Sequence, residues 1–299
     1  MFDARYSKQR AIGLGFGLGV TALVAGLFFA ALHFPAMTGP GTEATGDAEL
    51  PVAESGGTHE AAFSDQPTLD YIAKLRRTFP SAAAELETSV RRAVRREAGN
   101  VELGLIVLQA GTGDITSSIE RLARADVSYL DALLDLTESQ LASLRRSGAP
   151  YCMGNDLMMF AGLSEQQLYR AIFDRVGHGA GLYEYALGVN GILLDAIHEA
   201  RSDPDLHKPL DYSDQQALQT LGIALMTKPE IVKLLTTEGK TRSEMDAVLA
   251  GTDFCALASG ILAQIGTLPE GTKGRLWAEA LRQIESGRWR YTLYRYTGY

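Results

Sequence analysis

The residue types best suited to chemistry in this sequence gather in four places. The first is the stretch from Gly181 to Arg201, where Glu184, Gly188, Gly191, Asp195 and His198 fall near one face of a helical pattern. Asp195 and His198 stand three apart, a spacing at which two helical side chains reach one metal ion or one proton. A di-metal bundle needs a matching Glu-x-x-His from a second helix, and the chain has none; a His-Glu-x-x-His motif is also missing. The alternative is that the glycines admit a neighbouring helix and that Asp195 and His198 form an exposed polar pair.

The second place is a run of arginines: Arg91, Arg92, Arg95 and Arg96, with Arg76 and Arg77 just upstream. Guanidinium groups in adjacent rows suit lipid headgroups or an acidic partner. They also suit a solvated helix face tied to Glu87 and Glu97. The third is the C-terminal stretch, where Trp289, Arg290, Tyr294 and Arg295 belong to the residue types enriched at binding hot spots. Equally, such a tail can strap the core with its rings buried and its arginine heads in water. Asp203, Asp205 and Asp211 offer calcium-type oxygens without EF-hand spacing.

The fourth is the pair Cys152 and Cys255, the two cysteines of the chain. They cannot supply a four-cysteine zinc site, and a redox Cys-x-x-Cys is absent. In an oxidising compartment a lone pair is most simply a disulfide. It would close a loop of about 100 residues, worth up to roughly 4.7 kcal/mol in the chain-entropy account. Two buried free thiols are the alternative. The sequence also lacks serine-nucleophile, phosphate-loop and dinucleotide motifs, so it defines no reaction and implies no cofactor.

The elements that position these groups begin with an apolar segment. Residues 11–33 carry no Asp, Glu, Lys or Arg. That length crosses a hydrocarbon core of about 30 Å as one transmembrane helix. Arg5, Lys8 and Arg10 precede it. Residues 34–65 contain no Lys or Arg but hold Glu43, Asp47, Glu49, Glu54, Glu60 and Asp65. The positive-inside rule then keeps residues 1–10 cytoplasmic and places the remainder outside, which in a bacterium is the periplasmic side of the inner membrane. A cleaved signal peptide is the competing expectation, although its apolar region is shorter. Gly13/Gly17 and Gly15/Gly19 are small residues four apart, so pairing of two such helices into a homodimer is open.

Residues 34–66 mix Pro, Gly, Thr and acids without a helical or strand period, and are expected to be a disordered acidic linker. Such a tether spans roughly 30 Å. Residues 67–299 are expected to form an irregular, all-α, multi-helix domain of about ten helices. The expected starts are Thr or Ser boxes at Thr137/Gln140, Ser164/Gln167, Ser213/Gln216, Thr227/Glu230, Thr241/Glu244 and Thr267/Glu270, with Thr78-Phe-Pro-Ser81 as a related opening. Buried rows are expected at Ile115/Ile119/Leu122, Leu168/Ile172/Val176, Leu218/Leu221/Leu225 and Leu276/Ala280/Ile284. Residues 101–110 read as a strand by composition, but one without an obvious partner.

Twenty-eight basic and 36 acidic residues leave a net charge of −8, which disfavours nucleic acid as a partner. Three functions follow as expectations. The leading one is a tethered helical module that binds or scaffolds another envelope protein. The others are an envelope hydrolase or metal-dependent enzyme using Glu184, Asp195 and His198, and an anionic-lipid-binding factor using Arg91–Arg96.

Overall fold

Aspartates, more than Thr or Ser boxes, start the helices. The computed structural model describes residues 63–147, 152–155, 181–229, 231–232 and 241–286. These form eleven helices and no strand. The first are α1 (Gln66–Thr78), α2 (Pro80–Arg95), α3 (Asn100–Gln109), α4 (Thr112–Ser117) and α5 (Ile119–Leu122). Next come α6 (Val127–Arg146), α7 (Gly181–Glu199) and α8 (Tyr212–Met226). The last are α9 (Arg242–Ala250), α10 (Phe254–Gly266) and α11 (Glu270–Glu285).

Asp65, Asp126, Asp211 and Asp253 sit at the N-caps of α1, α6, α8 and α10, each accepting a hydrogen bond from a first-turn backbone N–H. A carboxylate there satisfies an orphan donor and meets the positive end of the helix dipole. The bond from Ser128 holds the Asp126 carboxyl below its ordinary range.

The expected boxes fare unevenly. Thr241/Glu244 is a full capping box opening α9. At α8 the box is Asp211/Asp214, and Ser213 merely donates to Asp211. Thr137 lies inside α6, where its hydroxyl donates back to the Leu133 carbonyl and contacts the Tyr185 hydroxyl. Thr227 and Thr267 are the C-caps of α8 and α10, each donating to a carbonyl three residues earlier; a helix does begin at Glu270, but behind Pro269 and without a side-chain cap from Thr267. A threonine hydroxyl satisfies a carbonyl of the turn behind it as readily as an amide ahead, so the motif alone does not tell a stop from a start. Thr78 likewise closes α1, and Pro80 opens α2 behind Phe79 without a side-chain cap. Residues 101–109 are helical, within α3. Ile115 and Ile119 fall in separate short helices, with Ser118 between them.

The core is built around α7. It packs against α1, α3, α4, α5 and α6, and buries Tyr183, Leu187, Val189, Leu193, Leu194 and Ile197 among other residues. Burying one Leu or Ile contributes about 1.5–3 kcal/mol. Polar atoms inside are mostly paired. The Thr68 and Tyr183 hydroxyls bond at 2.8 Å, and Tyr71 donates to the Ala110 carbonyl. Burial pushes the Tyr183 phenol up to about 12 and raises Tyr71 further, so both phenols stay protonated. Among the described residues, Asn190 Oδ1 and Arg282 Nη2 are buried without a hydrogen-bond partner.

A second layer joins α6 to α10 and α11. Trp277, 1% exposed, donates from Nε1 to the Leu122 carbonyl at 2.8 Å. Lys273 reaches both carboxylate oxygens of Asp131 at 2.5 and 2.7 Å. His207 lies over Gly274, where an added Cβ would stand 2.7 Å from the imidazole. The rows Leu218/Leu221/Leu225 and Leu276/Ala280/Ile284 are buried. Row Leu168/Ile172/Val176, the Ser164 box and residues 11–33 lie outside the described residues. Among the described residues, no helix is long and apolar enough to cross a membrane.

Asp214 fastens α8 to α11. Its carboxylate, fully buried, accepts from Arg275 Nε at 2.6 Å and Nη2 at 2.7 Å, from Thr272 Oγ1 at 2.7 Å and from the Asp211 amide at 2.8 Å. The paired guanidinium holds the Asp214 carboxyl at about 2, against the opposing cost of burial. Its folded pKa lies below its unfolded value of 3.8. The resulting stabilisation, about 2 kcal/mol, is present above pH 4 and disappears as pH falls toward 2. Asp214→Asn leaves Arg275 facing a neutral partner. It is expected to lower unfolding free energy by about 3 kcal/mol at pH 7. It should also flatten the loss of stability between about pH 4 and 2, as measured by urea unfolding followed by circular dichroism. An unchanged acid limb would show that Asp214 does not carry it.

Candidate functional site

On α7 the glycines receive neighbours. A Cβ at Gly188 would meet Leu136 Cδ2 at 2.9 Å, and one at Gly191 would meet the Lys74 stem at 3.4 Å. Gly188 therefore admits α6, and Gly191 admits a lysine side chain crossing from α1. Lys74 ends on Asp195, with Nζ 2.7 Å from Oδ2, and Arg77 donates to the other carboxylate oxygen. Glu184 and His198 are exposed at opposite ends of the same face.

The last turn of α7 is thus a polar seam. Arg201 donates to the Thr78 carbonyl at 2.7 Å, with its guanidinium 5.1 Å from the Phe79 ring centre. Tyr129 of α6 donates to Glu199. Burial and then the Glu199 carboxylate raise the Tyr129 phenol well above its ordinary range, keeping it protonated as the donor. What Asp195 does chemically here is hold two cations of α1 against α7. Lys74, Arg77 and Tyr129 were not flagged by local spacing: Arg77 and Asp195 are 118 residues apart in the chain.

The arginine face resolves into two kinds of residue. Arg76 pairs with Glu87 at 3.1 Å and Arg96 with Glu102 at 2.9 Å. Neither bond follows the expected pairing along α2 alone. Glu97 instead takes a positive φ of 58° just beyond the helix. Arg91, Arg92 and Arg95 are exposed and have no ion-pair partner among the described residues. Val90 and Ala93 point into the core, whereas Val94 is 49% exposed beside the arginines. The outer face of α2 is therefore basic, uncompensated and partly apolar. Arg92 and Arg95 also occupy its last turn, where the dipole favours cations.

Cys152 and Cys255 are joined in a disulfide. Cys255 lies in the first turn of α10. Cys152 does not lie in a helix; it precedes Met153, which forms an antiparallel bridge with Asp253. Among the described residues, one group of three Cys, His, Asp or Glu side chains converges tightly enough for a metal: Cys152, Asp253 and Cys255. Asp203, Asp205 and Asp211 do not converge; Asp211 caps α8. Trp289, Arg290, Tyr294 and Arg295, and the glycines Gly13, Gly15, Gly17 and Gly19, lie outside the described residues.

No protein-family model, curated protein or solved structure matches the chain. The geometry of these side chains is accordingly the basis for any functional reading.

The Asp195 cluster has partly exposed members, so its ion pairs are screened. Asp195→Asn is expected to cost about 1 kcal/mol or less in urea unfolding. A loss well above that would mean that α1 is held to α7 chiefly by charge instead of apolar contact.

Proposed function

We propose that this chain is a membrane-tethered binding module whose contact surface is the outer face of α2. In this reading residues 11–33 span the membrane with residues 1–10 in the cytoplasm. Residues 34–66 form the acidic tether, and the helical body works on the periplasmic side of an inner membrane. The charge asymmetry around residues 11–33 supports the orientation, and a disulfide is in keeping with an oxidising compartment.

The observation that carries the reading is the set Arg91, Arg92 and Arg95. Three exposed guanidinium groups without described counter-ions stand together in a chain of net charge −8. Arginine is the side chain best suited to bidentate contact with carboxylates. The occupant is taken to be an acidic surface of another envelope protein. Exposed Val94 at the centre of the face adds an apolar contact of the kind found beneath interface rims. The same mixture of aliphatic and basic residues favours, as a second reading, anionic lipid headgroups. Glu184, Asp195 and His198 are left out of the functional surface, because Asp195 is engaged by Lys74 and Arg77.

A photo-crosslinking residue placed at Val94 in the full chain tests this in native membranes. The expected product is one discrete protein adduct that disappears when Arg92 and Arg95 are both changed to Glu, while folding by circular dichroism is unchanged. Adducts to phospholipid alone would favour the second reading. Adducts that survive the double charge reversal would refute both.

A further inference from the structure

The disulfide is not the sole link between its two ends. The Phe254 amide donates to the Cys152 carbonyl at 2.7 Å, and the Gly154 amide donates to the Thr252 carbonyl at 2.9 Å. These bonds flank the Met153–Asp253 bridge and clip residues 152–154 onto residues 252–254. Gly154 permits the clip: a Cβ there would stand 1.8 Å from the Leu249 carbonyl oxygen, a contact no side chain can make. These backbone bonds join the two segments independently of the bond between the sulfurs.

Asp253 adds a third donor at the clip. Asp253 Oδ1 caps α10 through the Ala256 amide at 2.9 Å, and Oδ2 forms a long, half-exposed ion pair with Arg145 Nε at 3.6 Å that a metal ion would have to displace. Ligand atoms of Cys152, Asp253 and Cys255 all lie within 4.8 Å of one another. Cys255 occupies the first turn of α10, where the helix dipole favours a thiolate over a thiol. Met153 beside Cys152 is 40% exposed, so the cluster lies just beneath the surface.

We infer that Cys152, Cys255 and Asp253 form a redox-gated site for a thiophilic divalent cation of the zinc type. This inference is independent of the α2 face. The gating reductant is a dithiol. Its two electrons and two protons cleave the Cys152–Cys255 bond to two thiols, and its own sulfurs close into a disulfide. Metal binding then releases one proton from each cysteine, leaving two thiolates and one carboxylate as ligands with water completing the set. Two thiolates select soft or borderline cations over magnesium and calcium. Counting cysteines could not find this site, because the third donor is an N-cap aspartate adjacent to one of them.

Titration of the full chain in detergent with cobalt(II) tests the inference, before and after reduction by a phosphine. The reduced chain is expected to bind one equivalent with a thiolate-to-cobalt charge-transfer band that zinc(II) abolishes. The oxidised chain, Cys152→Ser and Cys255→Ser should show no such band. Asp253→Asn keeps the helix cap, since Asn caps as well as Asp. It is expected to weaken binding at least about tenfold, or about 1.4 kcal/mol. A reduced chain with intact helical circular dichroism and no band overturns the proposal. So does affinity that ignores Asp253→Asn. A reduced chain that loses its helical signal and does not regain it with cobalt(II) or zinc(II) overturns it as well, because the clip then fails to hold the donors.

Discussion

The burial of α7 on nearly every side is the constraint from which the remaining structure follows. A helix of this kind must be apolar around most of its circumference, and α7 is: Leu187, Leu193, Leu194, Ala196 and Ile197 are all within 2% of complete burial. It must also be narrow where neighbours come closest, and there it carries Gly188 and Gly191. Apart from Asn190, which is buried in its middle, its charged groups lie toward the ends of the helix. At the C-terminal end they become the seam of Asp195, Glu199 and Arg201 with α1 and α6. The glycines and acids that resemble a site by spacing are, in the folded chain, the means of fitting and fastening this one helix.

Long-range partners explain which features were readable in the sequence and which were not. The all-helical character was legible because apolar rows such as Leu218/Leu221/Leu225 repeat within one helix. The cysteine pairing was legible because two cysteines leave one combination. Helix starts were less so. Thr137, Thr227 and Thr267 carry the letters of a capping box but spend their hydroxyls on carbonyls behind them. The aspartates that cap α1, α6, α8 and α10 act without a reciprocal acid three residues on, except at α8. Residues 101–109 are ambiguous by pattern because α3 is short and almost wholly apolar at its C-terminal end. Partners of Asp195 and of Asp214 come from distant elements, so no local spacing announces them.

The same distinction separates charge answered inside the body from charge left to solvent. Asp214, Asp131 and Asp195 are each answered by a cation from another helix. Arg91, Arg92 and Arg95 are not answered within the described body. A folded chain tolerates unneutralised cations in water at little cost, so nothing in the stability of the body requires them to cluster. Their clustering beside Val94 is the observation on which the proposed contact face of α2 rests. The Cys152–Cys255 clip lies on another part of the fold, against α9 and α10, so binding at α2 and redox chemistry at the cysteines are separable.

Hydrogen exchange measured by mass spectrometry on the full chain tests the central role of α7 most directly. If α7 is the axis on which the body closes, the amides of Leu187–Ile197 exchange only through global unfolding. Their protection then equals the free energy from urea unfolding and falls with it in every destabilised variant. Exchange of α7 through a local opening, while α6 and α11 stay protected, would contradict the account.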